Sequence, residues 1–287
     1  LETEIPVLVG TPVPPVNDRS LPGNGVVRAG DSVREVTRKQ LLPTYDVFDE
    51  ARYFEADERP GIARTIAGLD IGVTICEDAW QHCGATPNDY DSDPIAQIVE
   101  WGRQGVVLDA TVNLSASPYH ANKSGVRIAV ARSAASSLNH PFLLANQVGG
   151  NDDLLFDGRS IIAWPDGTVV VAPAWTRGVL LTDLSDPKGC TWIGDGEVTI
   201  LKPGEELKED ENDLLDAIVI GLADYCRKSG ISKIVLGLSG GIDSALAACV
   251  ASAAVGAQNV TGISMPSKHS SQHSIDDAKA TAEALGL

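Results

Sequence analysis

The chain has 287 residues, 43% of them hydrophobic, enough for a sizeable core and more than one typical domain needs. A formal net charge of −17 argues against a nucleic-acid surface, which requires a basic face, but not against a local pocket for a small phosphorylated ligand. No apolar run approaches the roughly 20 residues of a membrane-spanning helix, and no signal-peptide pattern is visible.

From Ile5 to about Thr182, short apolar runs predict strands: "IPVLVG", "LDIGVTI", "GVVLDATVNL", "PFLLANQV", "SIIAW" and "TVVVAPAW", separated by turn clusters. Helix patterns at 93–104 and 121–139 intervene, giving an α/β layered domain with a buried sheet. Residues 183–210 are rich in Asp, Glu, Lys, Gly and Pro and read as a linker or a solvated loop. Beyond them, Leu214, Leu215, Ile218, Leu222 and Tyr225 recur at helical spacing, with Asn212 or Asp213 as N-cap and Gly230 as stop. Strand 233–238, helix 244–255, strand 258–264 and helix 274–285 then predict a second, parallel-sheet domain. The start at Leu1, the single methionine Met265 and the stop at Leu287 read as an excerpt of a longer protein. Cys76, Cys83, Cys190, Cys226 and Cys249 match neither a disulfide framework nor a zinc signature, and their odd number fits a reducing cytoplasm.

Two stretches carry chemistry. "SGGIDS" (239–244) joins a predicted strand to a helix. Gly240 and Gly241 let backbone amides approach a bulky anion, and the amides opening the helix add a positive dipole end. Ser239 and Ser244 add hydroxyl donors. Asp243 would repel a bare phosphate and makes sense if Mg²⁺ bridges it to the ligand. No Gly-Lys-Ser/Thr ending is present, so this is not a Walker A loop. The bland alternative is a tight turn with a serine cap. The second stretch is "TICEDAW" (74–80), where Cys76 ends an apolar strand and meets Glu77 and Asp78. A thiolate there needs a cation, for which Lys39 is a candidate. Taken singly, Cys76 also suits a core and Lys39 a strand edge.

"SGGIDS" after a buried strand resembles the PP-loop of N-type ATP pyrophosphatases, which adenylylate a substrate and release pyrophosphate. "RKQLLPTYDVFDEARYF", "ICEDAW", "NLSASPYHANK" and "LLANQVGGNDDLLFDGRS", in this order, are similar to the nitrilase-type glutaminase domain of the glutamine-dependent NAD synthetases. "SMPSKHSSQHSIDDAKATAEALG" extends the match beyond the PP-loop. The resemblance implies a nitrilase-like α-β-β-α sandwich over 1–185, a linker over 186–210, and the start of a doubly wound parallel α/β domain over 211–287. It implies Cys76 as nucleophile on the glutamine amide and Lys39 as oxyanion stabiliser, with Glu50 a second carboxylate near Lys39. Tyr45, Ser117 and Lys123 would bind glutamine, Lys123 pairing with its α-carboxylate. Gly237, Leu238, Ser239, Gly240, Gly241, Ile242, Asp243 and Ser244 would hold ATP, with Mg²⁺ at Asp243. Small-molecule substrates and a cytoplasmic homo-oligomer follow, with no nucleic acid and no membrane. The family's general-base glutamate falls upstream of Leu1, so the chain as given is expected not to hydrolyse glutamine. A stand-alone amidase with a degenerate ATP domain, and a non-catalytic assembly module, are the alternatives.

Overall fold

The computed structural model describes residues 5–17, 20–30, 32–58, 60–66, 68–87, 89–204 and 211–287. Its strands and helices group into two units, Leu1–Gln147 with Gly158–Lys208, and Val148–Asp157 with Glu209–Leu287.

The first unit opens with β1 (Val7–Val13), β2 (Gly23–Ala29) and β3 (Arg34–Arg38), an antiparallel three-stranded sheet. Next come β4 (Gly61–Ile66), β5 (Leu69–Ile75), α1 (Pro94–Arg103), β6 (Ala110–Ser115), α2 (Lys123–Leu138) and β7 (Phe142–Asn146). The chain leaves for the hairpin β8 (Val148–Asn151) and β9 (Leu154–Asp157), which belongs to the second unit, and returns as β10 (Ile161–Ala163) and β11 (Val169–Val171). The order β11-β10-β7-β6-β5-β4 forms one mixed sheet in which β5, β6 and β7 run parallel. Residues 71–75 of β5 are all buried, as expected of a strand covered on both faces.

Alternation sorts the side chains of this sheet. Phe142, Leu144, Ile161, Ala163, Val169 and Val171 face a core closed by Ile95 of α1 and by Ile128, Ala131, Ala134 and Ala135 of α2. On the other side, Val73 and Ile75 pack with Val26 of β2, while Ile162 and Val170 pack with Trp164 and Cys190. Helices thus cover one face and smaller sheets the other, the α/β/β part of the expected sandwich. The second small sheet is β12 (Gly178–Asp183), β13 (Asp186–Gly194) and β14 (Glu197–Ile200). It corrects the linker reading of 186–210, for residues 186–200 are strands of the first unit. Their composition is polar on average, yet Cys190 and Trp192 alternate inward at 0% and 9% exposure. Residues 205–210 of that expected linker lie outside the described residues.

In the second unit α3 (Glu211–Lys228) packs on the β8–β9 hairpin. Asp224 Oδ2 accepts from the Gly150 amide at 2.9 Å and Lys228 Nζ donates to the Gly150 carbonyl at 2.5 Å. A Cβ on Gly221 would lie 2.9 Å from the end of the Leu155 side chain, so glycine there leaves that side chain room as the hairpin approaches. β15 (Ile234–Gly237), α4 (Ile242–Val255), β16 (Val260–Ile263) and α5 (Gln272–Leu285) follow, with β15 and β16 paired in parallel. Among the described residues no helix is long and apolar enough to cross a membrane.

Candidate active site

Cys76 follows the last residue of β5 with φ 45°, at the head of a 3-10 turn, Cys76–Ala79. A side chain held in this left-handed region is lifted sharply out of the strand it terminates. Around it the carboxyl ends of the parallel strands converge, the usual place for a ligand in such sheets. After β6 comes Ser117, whose amide donates to Asn146 Oδ1, at the end of β7, at 3.0 Å. Asn113 of β6 donates from Nδ2 to Thr74 Oγ1 at 3.0 Å and to the Cys76 carbonyl at 3.2 Å, holding the elbow from beneath.

Lys39 comes directly after β3 and is 1% exposed. Its ammonium donates to Glu50 Oε1 at 2.5 Å, and Asn24 Nδ2 donates to the other Glu50 oxygen at 3.4 Å. Burial works against the charged form of Lys39, but Cys76 and Glu50 outweigh it and hold the ammonium above its ordinary range. Burial also raises the Cys76 thiol; Lys39 pulls it down, and so does a hydrogen bond from the Ala116 backbone, without cancelling the rise.

A cavity of about 360 Å³ opens over this elbow, with Cys76, Tyr45, Ser117 and Lys123 in its wall together with Glu77, Trp80 and Phe48. The expected nucleophile and all three expected glutamine ligands thus share one pocket. Lys39 is not part of that wall; it bears on Cys76 through its charge. The Ser117 hydroxyl is buried and has no hydrogen-bond partner among the described residues. Lys123, first residue of α2, places Nζ 5.5 Å from the centre of the Trp80 ring.

Two residues beside Cys76 were not assigned roles from the sequence. Glu77, 4% exposed, accepts from the hydroxyls of Tyr45 at 2.6 Å and Tyr90 at 3.3 Å. Burial first, then this carboxylate, pushes both phenols well above their ordinary range. Asp78 accepts hydrogen bonds from three backbone amides. The motif "ICEDAW" held the signal, since two carboxylates that close a buried strand must find partners.

The second expected site lies in the other unit. α4 begins at Ile242, two residues earlier than expected, with Gly241 as N-cap. Gly240 has φ 81°, and a Cβ there would meet the Ser274 carbonyl oxygen at 2.1 Å, so only glycine fits. Ser244 Oγ donates to the Gly241 carbonyl at 2.9 Å and accepts from the Ser239 amide at 3.2 Å, which fixes the loop. A cavity of about 210 Å³ beside it is lined by Gly237, Leu238 and Ser239 with Ser264, Met265 and Ser274. Gly240, Gly241, Ile242, Asp243 and Ser244 lie outside that lining. Asp243 is exposed in the first turn of α4. Among the described residues no cluster of three or more His, Cys, Asp or Glu could hold a metal ion.

The carbon-nitrogen hydrolase family matches residues 17–189, and NAD synthase matches residues 214–287. The glutamine-dependent NAD(+) synthetase of Synechocystis is 39% identical over 290 residues, covering 99% of this chain and 50% of that protein. The Aquifex aeolicus protein of the same name is 36% identical, covering 91% and 48%. Among solved structures, the Acinetobacter baumannii glutamine-dependent NAD+ synthetase with adenosine diphosphate has a TM-score of 0.78 and 29% identity, covering 99% of this chain and 49% of that one. The chain spans about half the length of the curated relatives it matches. By its motifs, its elbow and these matches it belongs to the carbon-nitrogen hydrolase family, in the arrangement of glutamine-dependent NAD synthetases, where such a domain precedes an NAD synthase domain.

Proposed function

We propose that this chain supplies the glutaminase domain and the opening of the synthetase domain of an enzyme that converts deamido-NAD to NAD with glutamine as nitrogen donor. The observation that carries the reading is the pocket over Cys76, with the buried Lys39, paired to the partly exposed Glu50, lowering the thiol, and charges of both signs, Lys123 and Glu77, in its wall. A zwitterionic amino acid with a side-chain amide matches that pattern. Cys76 attacks the amide carbonyl, Lys39 steadies the oxyanion, ammonia leaves, and water cleaves the thioester. The proton acceptor for Cys76 is assigned by resemblance to the family's general-base glutamate.

In the second unit, ATP is read onto Gly237, Leu238, Ser239, Gly240, Gly241, Ile242, Asp243 and Ser244. The left-handed Gly240 and the free first-turn amides of α4 suit a pyrophosphate, and the Acinetobacter relative was solved with adenosine diphosphate. Asp243, an exposed carboxylate in the first turn of α4, would hold Mg²⁺ brought in with the nucleotide. Bound there, Mg²⁺ would neutralise charge on the departing pyrophosphate. We take the amidase part to run through β14 and the synthetase part to begin at α3. A cytoplasmic homo-oligomer is part of the same reading, in keeping with five free thiols.

The test incubates the full-length protein with Mg-ATP, glutamine and deamido-NAD and quantifies AMP, pyrophosphate and NAD together. All three rising in step, and only with deamido-NAD, is the expected result. Glutamine hydrolysis without AMP would show a free amidase instead.

A further inference from the structure

The carboxylate of Asp78 is 2% exposed and takes no part in the chemistry assigned above. Its Oδ1 accepts from the amides of Gln40 at 3.1 Å and Leu41 at 2.9 Å, and its Oδ2 from the amide of Ile75 at 3.0 Å. Gln40 directly follows Lys39, and Ile75 directly precedes Cys76. β3, which leads into Lys39, belongs to the three-stranded sheet; β5, which leads into Cys76, belongs to the six-stranded one. Among the described residues no strand pairing joins β3 to β5, so their registry at the site depends on side chains. An ionised carboxylate only accepts, with capacity for all three donors; a neutral amide of the same shape would turn its own N–H against one of them.

We propose that Asp78 is a positioning residue of the glutaminase site, whose side chain clamps the backbone beside Lys39 to the backbone beside Cys76 and so sets the ammonium against the sulfur. This rests on the amidase reading above. Burial pushes the Asp78 carboxyl up to about 6 against the pull of the amides and Lys39, so at neutral pH the clamp is ionised. Its charge helps keep Lys39 protonated, whereas the Cys76 thiol is governed by burial, Lys39, Glu50, Glu77 and the Ala116 backbone.

Two roles for Asp78 give opposite signs in one experiment. A purely electrostatic carboxylate disfavours the thiolate, so neutralising it shifts Cys76 alkylation to lower pH. Breaking a clamp lets Lys39 drift from the sulfur, and alkylation shifts to higher pH. Asp78→Asn is made in the full-length protein, and Cys76 alkylation by iodoacetamide is followed against pH at the level of the Cys76 peptide. The clamp predicts an upward shift of about half a unit or more. Glutamine-driven kcat falls about tenfold or more, KM for glutamine stays within about twofold, and ammonium-driven NAD formation is unchanged to the same tolerance. An unchanged or downward shift overturns the proposal, as does equal loss of glutamine- and ammonium-driven rates. Asp78→Glu keeps the charge but alters the reach. It gives the same upward shift and kcat loss if the clamp holds, and serves if the Asn variant does not fold. Cys76→Ser is the separate control. Glutamine use surviving in Cys76→Ser sinks the amidase reading, whereas a dead Cys76→Ser beside a fully active Asp78→Asn sinks the clamp alone.

Discussion

His140 lies just before β7 and is held neutral by burial, its imidazole pushed down to about 4, with Nε2 2.8 Å from Thr111 Oγ1. The unfolded chain protonates this ring near its ordinary value of about 6.5 while the folded one resists until about 4. Between those limits the unfolded state binds more protons, so the stability contributed by neutral His140 is present above 6.5 and is lost as pH falls through the window. Asp78 acts with the opposite sign. Its raised carboxyl makes the folded state the better proton binder, so its contribution declines as pH rises from about 4 to 6. His140→Gln should therefore lose less stability than the parent between pH 7 and 4.5 in urea unfolding monitored by tryptophan fluorescence. Equal losses in the two proteins would mean that His140 is not buried neutral. Residue chemistry of this kind was only partly legible beforehand. Cys76 and Lys39 stood out because a thiol at a strand end requires a cation, but the phenols that meet Glu77 and two of the three amides that meet Asp78 are distant in sequence, and no local pattern names them.

Among elements, α1 and α2 show how a helical layer is tied to the sheet beneath. Pro94 opens α1, and Asp93 caps it, Oδ1 accepting from the Ala96 amide at 2.9 Å. The other Asp93 oxygen lies 2.8 Å from His82 Nδ1, and His82 Nε2 lies 2.8 Å from Ser137 Oγ of α2. One carboxylate thus caps a helix and, through His82, ties its start to the end of the next. His82 stands three residues after the Cys76–Ala79 turn, and both of its ring nitrogens are used in this tie. Asp93→Ala should cost about 1–2 kcal/mol of stability from the lost cap. Urea denaturation checks it, and an unchanged midpoint would show that water replaces the cap at no cost. The strands that formed continuous apolar runs were readable from their composition, and so were the strand–helix alternations after 230. β13 and β14 were not, because a sheet with one face to solvent buries only alternate residues, and averaging over Asp186–Ile200 hides Cys190 and Trp192.

Across the whole molecule, the proposed reading puts two chemistries on separate units, and a paired experiment separates them. Cys76→Ser in the full-length protein should abolish NAD formation from glutamine while leaving ammonium-driven formation intact, because ammonia bypasses the thiol. Asp243→Asn should slow AMP release about equally with either nitrogen source, because ATP activation precedes both. Measuring both variants with both sources decides it, and loss of ammonium-driven turnover in Cys76→Ser would make that cysteine structural. By itself, the sequence determined the order of the two units, the cysteine at the end of an apolar strand and the glycine-rich turn between strand and helix. Those signals are local, set by apolar period, by the conformations that only glycine reaches and by the need of a thiol for a cation. Tertiary structure alone decided that Tyr45, Cys76, Ser117 and Lys123 share one pocket, that Val148–Asp157 leaves its neighbours in sequence to pack on α3, and that one buried carboxylate joins the strand ends beside Lys39 and Cys76. Each joins groups far apart along the chain, whose meeting depends on sheet order and on which face of each strand is buried.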